Sequence, residues 1–295
     1  MRLNALCSAP CFPHARDFLI PAPGCSRAAL RFSPPEGGRD FYAVLLRNHR
    51  AQDLTRLNPK IAIVGLSPAG NQIDAFREAY ASSGDYDTAA IAGAFAGLAP
   101  DIIGMLDGLG LTQRLGIDFP TRGTLDHHPD IYVTSLVACA SLDKDGSSDD
   151  FDPLRFDPAR RCISERFVQE ITNPAFTRLT HVVILGSPGA KALRRLMSRS
   201  GRTVLEELQR AGKTVLDLPH PSGQNLEYVK LASLPAERVP KLAEYVDAKW
   251  REYAAKPPRP GRGKEPEAKY KAKRETVWRT IDGLRRQIAG LEVGA

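Results

Sequence analysis

The sequence predicts an α/β protein of three layers, α/β/α, built on a central, mostly parallel sheet. Three observations lead there. Four short apolar runs, Lys60–Gly65, Asp130–Val137, His181–Gly186 and Thr214–Leu218, alternate with stretches of helical periodicity, the pattern of a parallel sheet with helices on both faces. The 295 residues, 42% hydrophobic and 25% charged, supply core for one large α/β domain or two small ones. No internal repeat points to a solenoid or propeller.

Composition excludes other classes. It is ordinary for a globular protein, which removes global disorder and collagen. No apolar run reaches the ~18 residues of a membrane-spanning helix, so no membrane partner is expected. The start, Met1 to Cys11, has no long apolar core of the secretory type. Five cysteines, an odd number spread along the chain, fit reduced thiols of a cytoplasmic protein better than a disulfide framework.

Taken in order, residues 1–50 read as an N-terminal arm, rich in Pro, Gly and Cys and irregular to about residue 40. Phe41 to Arg50 is expected to be helical. Residues 51–255 form the α/β domain. Its first strand, Lys60-Ile-Ala-Ile-Val-Gly65, runs into the loop Ser67-Pro-Ala-Gly-Asn-Gln72, and a helix follows over Ile73–Ala81. Ile102 to Leu109 is a helix with Met105, Leu106 and Leu109 inward. The strand Asp130–Val137 precedes an acidic loop, Ser141–Arg155, and a helix over Cys162–Ile171. His181–Gly186 is a strand and Ala190–Met197 a helix. Thr214–Leu218 is the last strand and opens into Pro219-His-Pro-Ser-Gly-Gln-Asn225. In such sheets sites lie at the carboxyl ends of strands, where the loops after Gly65 and Leu218 sit.

The basic excess is concentrated near the C-terminus. Residues 256–274 carry eight Lys/Arg against Glu265 and Glu267, nearly all of the formal charge of +7. Interrupting prolines and glycines mark it as an exposed linker, suited to neutralising phosphates or acting as a solvated spacer. Residues 275–295 form a helix with Val277, Trp278, Ile281, Leu284, Ile288 and Leu291 in one apolar stripe.

The two loops carry more than topology. Gly-Leu-Ser-Pro-Ala-Gly (65–70) and His-Pro-Ser-Gly-Gln-Asn (220–225), in this order and after these strands, resemble the uracil-DNA glycosylase superfamily. The likeness is strongest to branches with Gly-Leu-Ala-Pro-Ala and His-Pro-Ser-x-Gln-Asn loops. Gly93-Ala-Phe-Ala-Gly97 is similar to the family's Phe-x-Gly, and Val133–Cys139 to the strand that carries a base-reading Asn. The likeness spans residues 58–230.

The resemblance implies a DNA glycosylase that flips a base and hydrolyses its N-glycosidic bond. His220 would donate to the departing base, and Ser67, Asn71 and Asp74 would serve the attacking water, with Gln72 close by. Phe95, Ser135, Gly65 and Leu66 would hold the base. Pro221, Ser222, Gly223, Gln224 and Asn225 would contact the DNA backbone. DNA is the expected partner of a monomer acting at the nucleoid, with no diffusible cofactor. Gly186-Ser-Pro-Gly-Ala-Lys191 fails the phosphate-loop pattern, so no nucleotide cofactor is expected. Asp126, His127, His128 and Asp130 read as a polar loop, not a metal site. Cys139 and Cys162 fall where iron–sulfur branches carry ligands, and Cys7, Cys11 or Cys25 would have to complete a set of four. The expected state is reduced buried thiols, with a cluster as the alternative.

Two departures bear on the substrate. Ser67 stands where active relatives often have Asp or Asn, and Ser135 where a pyrimidine-reading Asn is usual. Both are smaller. One reading is a pocket for a bulkier modified pyrimidine, such as the hypermodified cytosine of phage DNA, which would make the enzyme an anti-phage defence. The others are a broad-specificity uracil repair glycosylase and a DNA-binding member without catalysis. An unrelated nucleotide-binding α/β protein is a further possibility.

Overall fold

The computed structural model describes residues 30–32, 37, 41–47, 58–119, 125, 128–143, 151–257 and 263–291. These fall into two compact units. One is drawn from residues 1–99 and 121–220, the other from 100–120 and 221–295. The division differs from the single 51–255 domain read from the sequence, and it cuts the second loop between His220 and Pro221.

The first unit is built on four parallel strands, β3 (Ile61–Gly65), β4 (Ile131–Ser135), β6 (His181–Leu185) and β7 (Thr214–Leu218), in the order β4-β3-β6-β7. All five residues of β3, β4 and β6 are buried, the condition of strands covered on both faces, which explains their unbroken apolar runs. Gly65 pairs with Ser135 in register, and Leu185 with Leu218. Flanking helices complete the three-layer arrangement. Ala62, Val64, Tyr132, Val182 and Ile184 pack on one face with Phe156, Ile163, Phe167, Leu193 and Leu208. Each large apolar side chain buried this way contributes roughly 1.5–3 kcal/mol.

A second, antiparallel sheet was not anticipated. β1 (Leu30–Phe32), β2 (Phe41–Arg47) and β5 (Cys139–Leu142) pair in the order β1-β2-β5. The helix expected over Phe41–Arg50 is therefore a strand as far as Arg47. Its run Phe-Tyr-Ala-Val-Leu-Leu is short and unbroken, so periodicity does not separate the two states, and pairing with β5 decides it. The expected acidic loop 141–155 likewise starts inside β5 and ends in a 3₁₀ turn, Pro153–Arg155. Most of the N-terminal arm lies outside the described residues. Ala140 and Leu142 pack with Ile73 and Phe76 of α1 (Gly70–Ser83) and Ala89 of α2 (Tyr86–Gly93).

In the second unit, α3 (Ala99–Gly108) crosses α9 (Leu226–Ala232) at Gly108. A β-carbon there would lie 2.3 Å from the Ala232 carbonyl oxygen, so only glycine permits the crossing. α4 (Leu111–Leu115) follows α3, and α10 (Leu242–Ala255) and α11 (Glu267–Ala289) close the unit. α11 begins eight residues earlier than the expected 275, so the second half of the expected 256–274 linker is helical. Pro266 ends the breaker-rich stretch, and Glu267-Ala-Lys-Tyr-Lys-Ala-Lys-Arg274 contains only residues a helix tolerates well. The Glu267–Lys271 ion pair at i,i+4 supports it. Tyr270, Val277, Ile281, Leu284 and Ile288 form the buried stripe of α11.

Candidate functional site

β3 and β4 end side by side, and the residues beyond them are held by a buried network. Leu136 N–H donates to the Gly65 carbonyl at 2.8 Å and Val137 N–H to the Leu66 carbonyl at 2.9 Å. Among the described residues β4 is an edge strand, so its outward carbonyls need partners from elsewhere. Arg166 supplies them, donating to the carbonyls of Ser135 at 2.5 Å and Leu136 at 2.7 Å. Its guanidinium also pairs with Glu170 at 2.5 Å, and Glu170 accepts from the Thr134 hydroxyl. Arg166 and Glu170 are 1% and 0% exposed.

The local sequence explains how Arg166 gets there. The expected helix 162–171 is the continuation of α5 (Asp157–Arg161) through a π-helical segment, Cys162–Phe167, into α6 (Val168–Ile171). A π segment shifts the register of a helix and recurs at functional sites. Here it contains Arg166.

Above this base, Gly65, Phe95 and Ser135 come together. A β-carbon built on Gly65 would lie 3.4 Å from Phe95 Cε1 and 3.6 Å from Ser135 Oγ. Phe95 and Ser135 are both buried. Phe95 takes a left-handed backbone conformation, φ 51°, which costs an L-residue roughly 1–2 kcal/mol. The turn is fixed by Leu98 N–H donating to the Phe95 carbonyl at 2.8 Å and by Asn71, whose side-chain amide donates to the Ala96 carbonyl at 3.1 Å. Asn71 thus ties α1 to the Phe95 turn. The sequence reading had given it to the water.

Ser67 and Leu66 are half-buried in the loop, with Pro68 buried. Gln72 is buried and its side-chain oxygen accepts from Ala69 N–H at 2.8 Å, so it braces the loop from inside. Asp74 is exposed on the same flank of α1 as Asn71, and the structure does not bring it to Phe95 or Ser135.

His220 stands two residues past β7 and folds back over the end of β6. A β-carbon on Gly186 would be 3.3 Å from His220 Cβ. Because β6 neighbours β3 in the sheet, this puts the imidazole's base one strand, ~5 Å, from the strand that carries Gly65. Burial lowers the basicity of His220 below its ordinary value of 6.5, so the ring is neutral at pH 7, a hydrogen-bond donor through one nitrogen only.

In the second unit, Ser222–Asn225 close a tight turn. Asn225 N–H donates to the Ser222 carbonyl at 2.8 Å, and the Asn225 amide reaches Ser222 Oγ at 3.5 Å. Pro221 is buried and Gly223 exposed, while the Gln224 side chain lies outside the described residues. Leu226, 45% exposed, opens α9 directly after this turn.

The cysteine question is only partly within the described residues. Cys162 is buried in the apolar core and its sulfur accepts from Ala138 N–H at 3.4 Å. Cys7, Cys11 and Cys25 and the side chain of Cys139 lie outside them. Among the described residues no three His, Cys, Asp or Glu side chains gather as metal ligands. Asp130 pairs with Lys60 and Arg178, and its N–H donates to His128 Nδ1 at 3.1 Å. No helix among the described residues is long and apolar enough to cross a membrane.

The carboxyl ends of the parallel sheet thus present a Gly-rich loop, a buried Phe beside a short polar residue, and a half-buried His, the candidate site of an α/β protein. The sequence model of the Uracil DNA glycosylase superfamily matches residues 52–245. That is more than half of the chain, which therefore belongs to the superfamily. Its members are in general DNA glycosylases, hydrolases of the bond between base and deoxyribose, and DNA is the family's substrate. No curated protein sequence matches the chain.

Proposed function

We propose that this protein is a monofunctional DNA glycosylase that extrudes one nucleotide and hydrolyses its N-glycosidic bond, and that its base is a modified pyrimidine. The convergence of Phe95 and Ser135 on Gly65 carries the reading. A base cannot be attacked inside the duplex, and flipping it costs a few kcal/mol. Stacking on an aromatic face returns ~1–3 kcal/mol, and Phe95 supplies that face. As the C1′–N bond breaks, positive charge grows on the sugar and the electron pair leaves with the base. His220, neutral and half-buried, donates an N–H to that anion, a contribution of roughly 3 kcal/mol where water is excluded. A water oxygen attacks C1′ and loses its proton, and the base takes one up, leaving an abasic sugar. Ser67 and the N–H groups of Gly70 and Asn71 at the start of α1, ahead of the Gln72 and Ile73 N–H groups that donate to the Ala69 carbonyl, orient the water.

The Ser222–Asn225 turn meets the backbone of the DNA, and Leu226, exposed where that turn opens into α9, offers the DNA an apolar contact. Serines at 67 and 135, both shorter than the residues usual there, support a base larger than uracil, such as hydroxymethylated or glucosylated cytosine. The cellular role is then defence against phage DNA, carried out by a cytoplasmic monomer without a diffusible cofactor.

The test is incubation with duplexes carrying uracil, 5-hydroxymethylcytosine or glucosylated cytosine, with mass analysis of released bases. Release of the bulky cytosines is expected. Release of uracil alone selects the repair enzyme. Salt-sensitive binding with no abasic site on any duplex selects a non-catalytic DNA-binding protein.

A further inference from the structure

Among the described residues, most cations of the C-terminal segment are engaged with carboxylates of their own unit. Lys256 pairs with Glu252 at 2.7 Å, Lys273 with Glu265 at 2.7 Å, and Lys271 with both Asp247 and Glu267 at 2.8 Å. Arg279 pairs with Glu275 at 2.6 Å. A segment compensated in this way is poorly suited to releasing counterions from DNA. One pair in it points elsewhere. Arg274 pairs with Glu227, and the two side chains are only 24% and 20% exposed. The other Glu227 oxygen accepts from Tyr245 Oη at 2.7 Å. The Arg274 guanidinium lies over the Tyr270 ring, 4.5 Å from its centroid.

Glu227 is the second residue of α9, and α9 starts where the Ser222–Asn225 turn stops, with no residue between them. Its far end is held as well. Arg285 donates to the carbonyls of Leu231 at 3.0 Å and Leu234 at 2.8 Å. Arg274 and Arg285 are eleven residues apart, about three helical turns, and so lie on one face of α11. The helix that grips α9 at both ends lies wholly beyond the family-matched residues 52–245.

We propose that α11 is a splint for the Ser222–Asn225 turn, with Arg274 and Tyr245 as positioning residues acting through Glu227. The inference rests on the reading that this loop meets DNA. It assigns to the basic C-terminal segment a task other than phosphate contact, and it reverses the sign expected from charge. Removing a carboxylate beside a DNA-contacting loop strengthens binding if only charge matters. Under the splint, the same change weakens binding, because a loop that is no longer held must be ordered on the DNA.

The test uses the full chain and a short duplex carrying a tetrahydrofuran abasic analogue, a probe that does not depend on which base is excised. Dissociation constants are measured at several salt concentrations for wild type, Glu227→Gln, Arg274→Met, Arg274→Lys, Tyr245→Phe and the double variant Glu227→Gln/Arg274→Met. Expected are losses of about tenfold for Glu227→Gln and Arg274→Met, a double variant no worse than either, partial recovery in Arg274→Lys, and an unchanged salt slope. Should Arg274→Met not fold, Glu227→Gln and Tyr245→Phe decide by the same sign. Tighter binding by Glu227→Gln, additive losses with a salt slope reduced by about one, or lowered melting temperatures with unchanged dissociation constants each overturn the splint. A wild type that does not bind the duplex overturns the functional reading itself, whereas a wild type that binds beside indifferent variants overturns the splint alone.

Discussion

Phe95 stands against Gly65 with its ring edge 3.4 Å from where a β-carbon on the glycine would be. The glycine's missing side chain is therefore the space beside the ring, and Ser135 Oγ borders the same space at 3.6 Å. Phe95 is held there in a left-handed conformation, a local cost that the Asn71 and Leu98 hydrogen bonds offset. Strain of this kind persists where the surroundings over-determine it.

Gly65→Ala tests what that space is for. Contacts of 3.4–3.6 Å are ordinary van der Waals distances, so the variant folds, with a stability change within about 1 kcal/mol. Its methyl occupies the region between ring and hydroxyl. Excision should drop by tenfold or more while the melting temperature barely moves. Undiminished excision kinetics in the folded variant would mean the base does not enter beside Phe95.

The floor of the site has its own test. Arg166→Met leaves Glu170, 0% exposed, as a buried charge without its cation, a change that costs about 3–5 kcal/mol. Urea unfolding should show a loss of that size. The deficit should shrink as the pH is lowered, because protonation of Glu170 removes the uncompensated charge. A loss under 1 kcal/mol would show that water reaches this pair.

β3, β4 and β6 were legible because each is buried on both faces, which forces unbroken apolar runs such as Ile61–Val64 and Val182–Leu185. β7, half-buried at Thr214, Val215 and Asp217, was read from its shortness and its place before a polar loop. The site's outline was legible for a different reason. Loops after parallel strands are read from position, so Gly65, Ser135 and His220 could be placed at strand ends before any contact was known. Arg166 was not legible. Arginine in a helix is ordinarily a surface residue, and nothing in Cys-Ile-Ser-Glu-Arg-Phe167 announces a π segment. The tie made by Asn71 was not legible, because the sequence offers it as a polar group near the loop, whereas its amide's partner, Ala96, lies twenty-five residues on. The β2 strand was misread for want of its partner, since pairing with β5 crosses almost a hundred residues. The paired tail shows the same limit. Composition gives eight cations in residues 256–274, while Asp247, Glu252 and Glu227, which engage three of them, lie outside that window.

His220 makes two expectations, one kinetic and one in pH. Under the proposed mechanism, replacing it by alanine removes the donor to the departing base, so excision should slow about a hundredfold, ~3 kcal/mol, with DNA binding retained. His220→Gln, which keeps an N–H donor, should recover part of the rate. Because burial lowers the imidazole's basicity below its ordinary value of 6.5, the neutral donor predominates at pH 6.5 and above. The rate assigned to this group should therefore be flat across neutrality and fall only on the acid side of 6.5. The sign for stability is the same. The unfolded chain binds the proton more readily, so stability from this group is complete above 6.5 and is lost as the pH falls through the folded value. An inflection at or above pH 7 that disappears in His220→Ala would show an imidazolium as the donor.

Under the proposed function, Ser135 bears on which base is cut. It ends β4, its carbonyl is fixed by Arg166 at 2.5 Å, and its register partner is Gly65, so a substitution at this position acts on a backbone that is held in place. Serine offers one hydroxyl to a base edge. Asparagine offers a donor and an acceptor together and fills more of the space bounded by Gly65 and Phe95. Both effects favour a small, unmodified pyrimidine. The larger side chain collides with a bulky substituent, and the amide pairs groups on the uracil edge that would otherwise be left unsatisfied at roughly 1–3 kcal/mol each. Ser135→Asn is therefore expected to raise kcat/KM for uracil relative to glucosylated cytosine by about tenfold or more. Competition between two otherwise identical duplexes in one reaction measures that ratio directly, free of differences in enzyme concentration. If the wild type already cuts uracil strongly and ignores the glucosylated base, the pocket is not enlarged, and the serine at 135 reads uracil through contacts of its own.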